Sequence, residues 1–437
     1  MTRRTCRLRA RSKSLASTAW ALSRRSLPSR KASTFRCPST PTTPLTAIST
    51  FPRWLPSCAR SRGWWPNSTD EARCHHRAGR DQRAWPLCGR NLRRDGRGPV
   101  RDRADRVSRC RPALHPDRRA GARLCARRPF QPPADRALRQ VHPVRLLAAR
   151  EAVAQAGLGF MGELSQRAGV VLGCSGGGVN TLDENYRTVY EEGKNRVHPF
   201  VVPKLMNNAA ASHVSMEHNL RGPGFSVATA CASSNHAMGL AFQLVRSGAS
   251  PVMLTGGSEA MLCFGGVKAW EGLRVMSRDA CRPFSANRNG MVQGEGAAVF
   301  VFEEYEHARA RGAEMLAEVI GFAMTSDASD IVMPSKQGAA RAISGALADA
   351  GIAPEAVGYI NAHGTGTAAN DKTECAAVAD VFGRHADRLM MSSTKSMHGH
   401  LIGGTGAVEL LACIMALREG VIAPTVGYEE PDPECAL

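Results

Sequence analysis

At Leu146 the chain changes character, and that break limits what each side of it can fold into. Of 57 Lys and Arg residues, 35 lie at or before Arg145, against 8 of the 38 Asp and Glu; the remaining 292 residues carry 22 and 30. The formal charge of +19 is therefore +27 in one part and −8 in the other. A surface for nucleic-acid phosphates would have to come wholly from residues 1–145, and the rest of the chain is not built for nucleic acid. The same 145 residues hold 15 of the 25 prolines, with 33 Arg but only two Lys. Neither hydrophobic period runs through them. Stretches such as Arg24-Arg25-Ser26-Leu27-Pro28 put proline where a helix or a central strand would have to continue. Residues 1–145 are not expected to form a native domain.

Four readings of that segment compete. Residues 1–69 lack Asp and Glu like a transit peptide, but are not amphipathic. A disordered basic tail would be unusual with five tryptophans. Cys74-His75-His76 lacks a second ligand pair at metal-binding spacing. The favoured reading is translation out of frame. A one-nucleotide shift across residues 74–85 permits Val-Ile-Thr-Gly-Leu-Gly-Ala-Ile-Ser-Ala-Leu-Gly. The same shift across 139–145 permits Asp-Arg-Phe-Thr-Gln-Phe-Ala, running straight into Leu146. A two-nucleotide shift at 17–20 permits Asp-Ser-Leu-Gly. The expected division is thus 1–69, from an upstream gene; 70–145, the displaced start of the enzyme; and 146–437, the enzyme.

No stretch reaches the roughly 18 apolar residues of a membrane helix, so no membrane span is expected. The seven cysteines after residue 145 form no CxxC pair, which fits a reduced, cytoplasmic protein without a metal site.

From Leu146 short apolar runs ending in Gly, at 170–173 and 251–257, alternate with helical patterns. One helix runs from Leu146 to a Gly157 cap, another from Gly338 to Ala350 with a cap at Gly351, and Val357 to Ile360 reads as the next strand. Alternation of this kind means an α/β fold. In Phe225 to Gly239 a strand runs directly into a helix with Cys231 at the junction. Backbone N–H groups and the helix dipole there stabilise a thiolate and an oxyanion, although a free Cys is as often a buried small hydrophobe. His363, in Asn361-Ala362-His363-Gly364-Thr365-Gly366-Thr367, and His400, in Lys395-Ser396-Met397-His398-Gly399-His400, sit on glycine-rich loops at strand ends. One Cys and two His so placed suit thioester chemistry, with Cys as acyl carrier and His as N–H donors.

These motifs, with Arg282-Pro283-Phe284-Ser285, Gly294-Glu295-Gly296-Ala297 and Asn370-Asp371 followed by Glu374, resemble the β-ketoacyl-(acyl carrier protein) synthases of the elongating type over residues 146–437. The resemblance implies a thiolase-like layered αβαβα fold, incomplete at both ends, because the first strand is displaced and the chain stops before the family's last Phe-Gly-Gly loop. It implies a decarboxylative Claisen condensation that lengthens an acyl chain by two carbons. Cys231 would carry the acyl group, and His363 and His400 would stabilise the enolate. Lys395 would tune the surroundings of His400, Glu374 would support the network, and Thr365 and Thr367 would bind pantetheine amide groups. Glu295, His398 and His236 are read as structural. The loop Ser175-Gly176-Gly177-Gly178 is read as close packing rather than a phosphate cradle. No bound cofactor is implied; phosphopantetheine is carried by the partner acyl carrier protein. A homodimer is implied too.

Lys268 to Gly272, Thr325 to Ser329 and the last residues resemble most the nodulation-type synthases, which make the acyl chain of a lipo-chitooligosaccharide signal. A general fatty-acid or polyketide synthase is the alternative. A thiolase is disfavoured because His400 stands where its second Cys would be. A chain-length factor would lack Cys231. A non-enzymatic reading, a basic nucleic-acid-binding extension on an inactive truncated chain, rests on residues 1–145 alone. With both ends incomplete, the chain as written is expected to be poorly folded or inactive.

Overall fold

The computed structural model describes residues 43–48 and 143–435. Eight strands are present among them: β1 (Thr43–Ile48), β2 (Gly169–Gly173), β3 (Gly224–Val227), β4 (Val252–Glu259), β5 (Gly296–Glu303), β6 (Ala317–Val319), β7 (Tyr359–Asn361) and β8 (Met390–Ser392). Six form one sheet in the order β3-β2-β4-β5-β1-β6, and β7-β8 form a second. β2 is parallel to both β3 and β4, while β5 runs antiparallel to β4. Every residue of β2 and β4 is buried, which explains their unbroken apolar character: a strand covered on both faces has no solvent side to mark with polar residues.

Five helices supply the layers: α1 (Pro143–Ala156), α2 (Ser233–Arg246), α3 (Lys336–Ala350), α4 (Ala368–Phe382) and α5 (Thr405–Glu419). α1 presents Leu146, Ala149 and Ala152 to one face of the large sheet, where they meet Leu172, Leu254 and Val299. On the other face Met238, Phe242, Leu411 and Ile414, from α2 and α5, meet Met253, Phe300 and Phe302. α3 and α4 pack through Ile343, Leu347 and Val378 beside the small sheet. The result is an αβαβα layering with α2 and α5 in the middle. The middle layer lies so close that a Cβ on Gly173 or Gly257 would fall 2.2–2.5 Å from atoms of Ser234. Those two glycines set the height of α2, and with it the height of Cys231, above the sheet.

The elements read from sequence are present with small shifts. The helix ending at Gly157 starts at Pro143. Gly351 caps α3 with φ +65°, and the strand expected at 357–360 occupies Tyr359–Asn361. The place beside β5 is filled from the segment before Leu146: Thr43–Ile48 lies between β5 and β6 and pairs antiparallel with both. An extended segment meets the ladder through its backbone N–H and C=O groups, with Pro44 alone lacking an N–H to offer. A single strand is not a domain; the remaining residues of 1–142 lie outside the described residues, and with them the Cys74-His75-His76 cluster and the shifted-codon segments.

Candidate active site

Cys231 stands at the end of a tight elbow between β3 and α2. Ala230 adopts φ +50°, and Ser233 Oγ both accepts from the Thr229 N–H at 2.9 Å and donates to the Ala230 carbonyl at 2.7 Å. A non-glycine residue in the left-handed region costs energy, so this elbow persists only because its surroundings hold it. Its effect is to aim the thiol away from the sheet, into a cavity of about 510 Å³ that also exposes His363, His400, Thr365 and Thr367.

His400 Nε2 lies 3.1 Å from Cys231 Sγ. The His363 and His400 rings meet edge to face with centroids 5.4 Å apart. His400 is 1% exposed, and its other nitrogen, Nδ1, receives the Ile402 N–H at 3.1 Å. A backbone N–H can only donate. Nδ1 is therefore unprotonated, and the proton of the neutral ring sits on Nε2, pointing at Cys231. Burial, reinforced by Lys395, holds both rings well below the usual histidine range, so they remain neutral N–H donors at physiological pH. His400 cannot act as a base toward the thiol in this state. Burial pushes the free thiol up to about 11, with Lys395 pulling in the opposite direction. The helix-end location alone leads one to expect a lowered thiol; here desolvation outweighs the favourable charges.

Donor atoms of Cys231, His363 and His400 lie within 4.8 Å of one another, near enough to consider a divalent metal. The Ile402 N–H argues against one. A metal on Nε2 would require the ring proton on Nδ1, facing another N–H.

Lys395 is fully buried. Its Nζ bonds the His363 carbonyl oxygen and the Glu409 carboxylate on α5. It touches the backbone of His363, and its charge also acts on the nearby His400 ring, opposing a positive imidazole there. Glu374, on α4, accepts the N–H groups of His363 at 2.6 Å and Gly364 at 2.7 Å. Burial raises its carboxyl to about 7 despite those bonds. Thr365 and Thr367 share a hydroxyl hydrogen bond of 2.8 Å at the cavity wall.

The residues set aside as structural have local partners. His398 bonds Gly399 O and Thr394 Oγ1 within its own turn. His236 stacks edge-on against Phe322. Glu295 is raised by burial and bonds the Leu262 backbone. In the Ser175 loop, Glu259 accepts from Ser175 N at 2.7 Å, Gly176 N at 3.3 Å and Gly403 N at 3.2 Å. A carboxylate already fills the place an anionic ligand would take.

Several supporting residues escaped the sequence reading as members of the site. Asp371 accepts from Thr365 N at 3.0 Å, Gly366 N at 3.2 Å and Phe284 N at 2.9 Å. Glu409 neutralises Lys395, and Ile402 and Thr405 face the back of His400. Glu409 had a visible signal: a single carboxylate inside the apolar run Ala407 to Ile414, where a charge is buried only with a partner.

Layering and junction cysteine together define a thiolase-like enzyme built for acyl transfer. The chain belongs to the β-ketoacyl synthase family: residues 126–308 match the profile of its N-terminal domain and residues 316–429 that of its C-terminal domain. It is 52% identical over 292 residues to nodulation protein E of Rhizobium leguminosarum bv. trifolii, which covers 67% of this chain and 73% of that protein. It is 40% identical over 299 residues to 3-oxoacyl-[acyl-carrier-protein] synthase 2 of Staphylococcus aureus, covering 67% and 74%. Among solved structures, a β-ketoacyl synthase from Burkholderia phymatum aligns with a TM-score of 0.64 and 36% identity over 70% of this chain and 78% of that one. A type II polyketide ketosynthase in complex with its acyl carrier protein aligns at 0.65 and 32%, over 68% and 76%.

Proposed function

We propose that the enzyme lengthens an acyl chain by decarboxylative Claisen condensation. Cys231 sulfur attacks an acyl thioester on a carrier protein, and the carrier leaves as its free thiol. A malonyl carrier then enters; CO₂ leaves, and the electron pair of the broken bond becomes an enolate. His400 Nε2–H and the His363 ring face the developing oxyanion. The enolate carbon attacks the acyl-Cys231 carbonyl, Cys231 is released, and a 3-oxoacyl carrier two carbons longer results. The observation that carries this reading is the His400 N–H aimed at Cys231 Sγ, which suits anion stabilisation and not proton abstraction.

In this reading Lys395 and Glu409 fix the His363 loop, Glu374 and Asp371 hold its amides, and Thr365 and Thr367 meet pantetheine amides. No cofactor resides in the synthase; phosphopantetheine arrives on the carrier. The relationship to nodulation protein E favours a nodulation-signal acyl chain as the product, with general fatty-acid or polyketide synthesis as the alternative. Among the described residues no helix is long and apolar enough to cross a membrane. Among the described residues β3 is an edge strand of the large sheet, with Phe225 38% exposed, which supports strand pairing across a homodimer.

The test is to incubate the protein with acyl carrier and malonyl carrier and to follow intact mass and products. Acyl-Cys231 and a 3-oxoacyl product, both lost in Cys231→Ala, are expected. Acylation elsewhere, or condensation by Cys231→Ala, would overturn the assignment.

We propose further that residues 70–145 are displaced from the enzyme's reading frame. Arg145 supports this. It lies on the buried stripe of α1 with Ala149 and Ala152, is 5% exposed, and leaves its Nε without a partner. That position calls for a small apolar residue, and the shifted codon permits Ala.

A further inference from the structure

One contact of His400 has no part in the scheme above. Thr405 Oγ1 lies 2.8 Å from His400 Nδ1, on the side of the ring away from Cys231. The Ile402 N–H fixes Nδ1 as an acceptor, so the Thr405 hydroxyl has one role left toward it, that of donor. Thr405 is the first residue of α5 and is 1% exposed. A threonine at the N-cap turns its hydroxyl onto the helix's own free N–H groups, but Gly404 holds that place and Thr405 is the first helical residue, so capping makes no claim on its hydroxyl; the free N–H of Ala407 is taken by Ser234 Oγ at 3.2 Å. The hydroxyl is left to the ring.

We propose that Thr405 is a positioning residue for His400: by donating to Nδ1 beside the Ile402 N–H, which sets the tautomer, it holds the ring and makes the Nε2–H a stronger donor to the enolate oxygen. This rests on the condensing reading of the site. Two donors on one nitrogen withdraw electron density from the ring, which acidifies the opposite N–H without charging it. The groups facing His400 from neighbouring elements act the same way. Lys395 and His398 on the short helix before it, and His363 on the loop after β7, all oppose a positive ring, while Glu409 on α5 is engaged by Lys395. Cys231 faces the ring from the start of α2. Ile402 supplies its N–H from φ +47°, a strained conformation for a β-branched residue, so a second donor shares the work of holding the ring.

Thr405→Val removes the hydroxyl and keeps the shape; Thr405→Ser keeps the hydroxyl. In Thr405→Val we expect kcat to fall about tenfold or more, a fraction of the roughly 100- to 1,000-fold that removal of a whole oxyanion donor costs. KM for the malonyl carrier stays close to wild type, and the acid limb of the pH–rate profile moves to higher pH because the ring becomes more basic. Thr405→Ser restores kcat to within about threefold, well inside the loss. Nitrogen NMR of histidine-labelled protein gives an activity-free readout: the Ile402 N–H keeps the Nε2–H tautomer in all three proteins, while the Nδ1 resonance moves downfield in Thr405→Val, which loses one donor, and stays at the wild-type position in Thr405→Ser. A wild-type kcat and an unmoved Nδ1 resonance in Thr405→Val would overturn the proposal, as would Thr405→Ser failing as badly as Thr405→Val. If the wild-type protein forms no acyl-Cys231, the condensing reading fails instead, and the Nδ1 resonance still decides the role of Thr405.

Discussion

Lys395 is wholly buried, and its carboxylate partner is Glu409, one turn into α5. The pair joins the loop that carries His363 to the helix whose first residue touches His400, so one ion pair ties together the supports of both histidines.

Glu409→Ala leaves a buried cation uncompensated and is expected to cost about 3–5 kcal/mol of stability. The double variant Lys395→Met, Glu409→Leu removes both charges and should recover most of that loss while remaining impaired in condensation. Chemical denaturation of the wild type and the two variants measures it; equal destabilisation of single and double variants would contradict the account.

Alkylation of Cys231 follows the thiolate fraction. With the thiol pushed up to about 11, the iodoacetamide inactivation rate should climb about tenfold per pH unit between roughly pH 7 and 10. Lys395 pulls the thiol down, so Lys395→Met should react more slowly at every pH in that range. A plateau below pH 8 would show a thiolate at rest and refute the desolvation argument.

Glu374 gives stability a defined pH dependence. Its carboxyl is raised by burial to about 7, against a usual value of 4.5. The folded state therefore binds the proton more tightly than the unfolded state, and this group's contribution falls as pH rises from about 4.5 to 7. Glu374→Gln should flatten the melting temperature across that window, at the cost of one of the two amide contacts to His363 and Gly364. An unchanged slope would assign the pH dependence to other groups.

Arg145→Met keeps the aliphatic volume of a buried side chain whose Nε has no partner, and Arg145→Ala gives the residue that the shifted codon permits. Relief of one orphaned buried group is worth about 1–3 kcal/mol. We expect both variants to melt several degrees higher than the parent, as read by differential scanning calorimetry. Lower melting in both would mean that Arg145 stabilises α1 through its charge.

Much of this was legible before folding. The runs around Val170 and Val252 are buried strands because apolar content without alternation leaves no polar face. Cys231 at a strand-to-helix junction, and two histidines on glycine-rich loops, were visible as separate local patterns. The sequence also marked where arginine and proline displace any regular period.

What it could not show were relations between residues distant in the chain. Cys231 and His400 are 169 positions apart and come within 3.1 Å only because two sheets press α2 and α5 together. The upward push on the Cys231 thiol is a product of burial, and burial belongs to the assembled layers. The tautomer of His400 depends on a backbone N–H at Ile402 whose direction is set by a left-handed residue. Local pattern determines which residue types are available at an element's end. The direction of a proton, and the charge a group can bear, are decided only when distant elements exclude water and face one another.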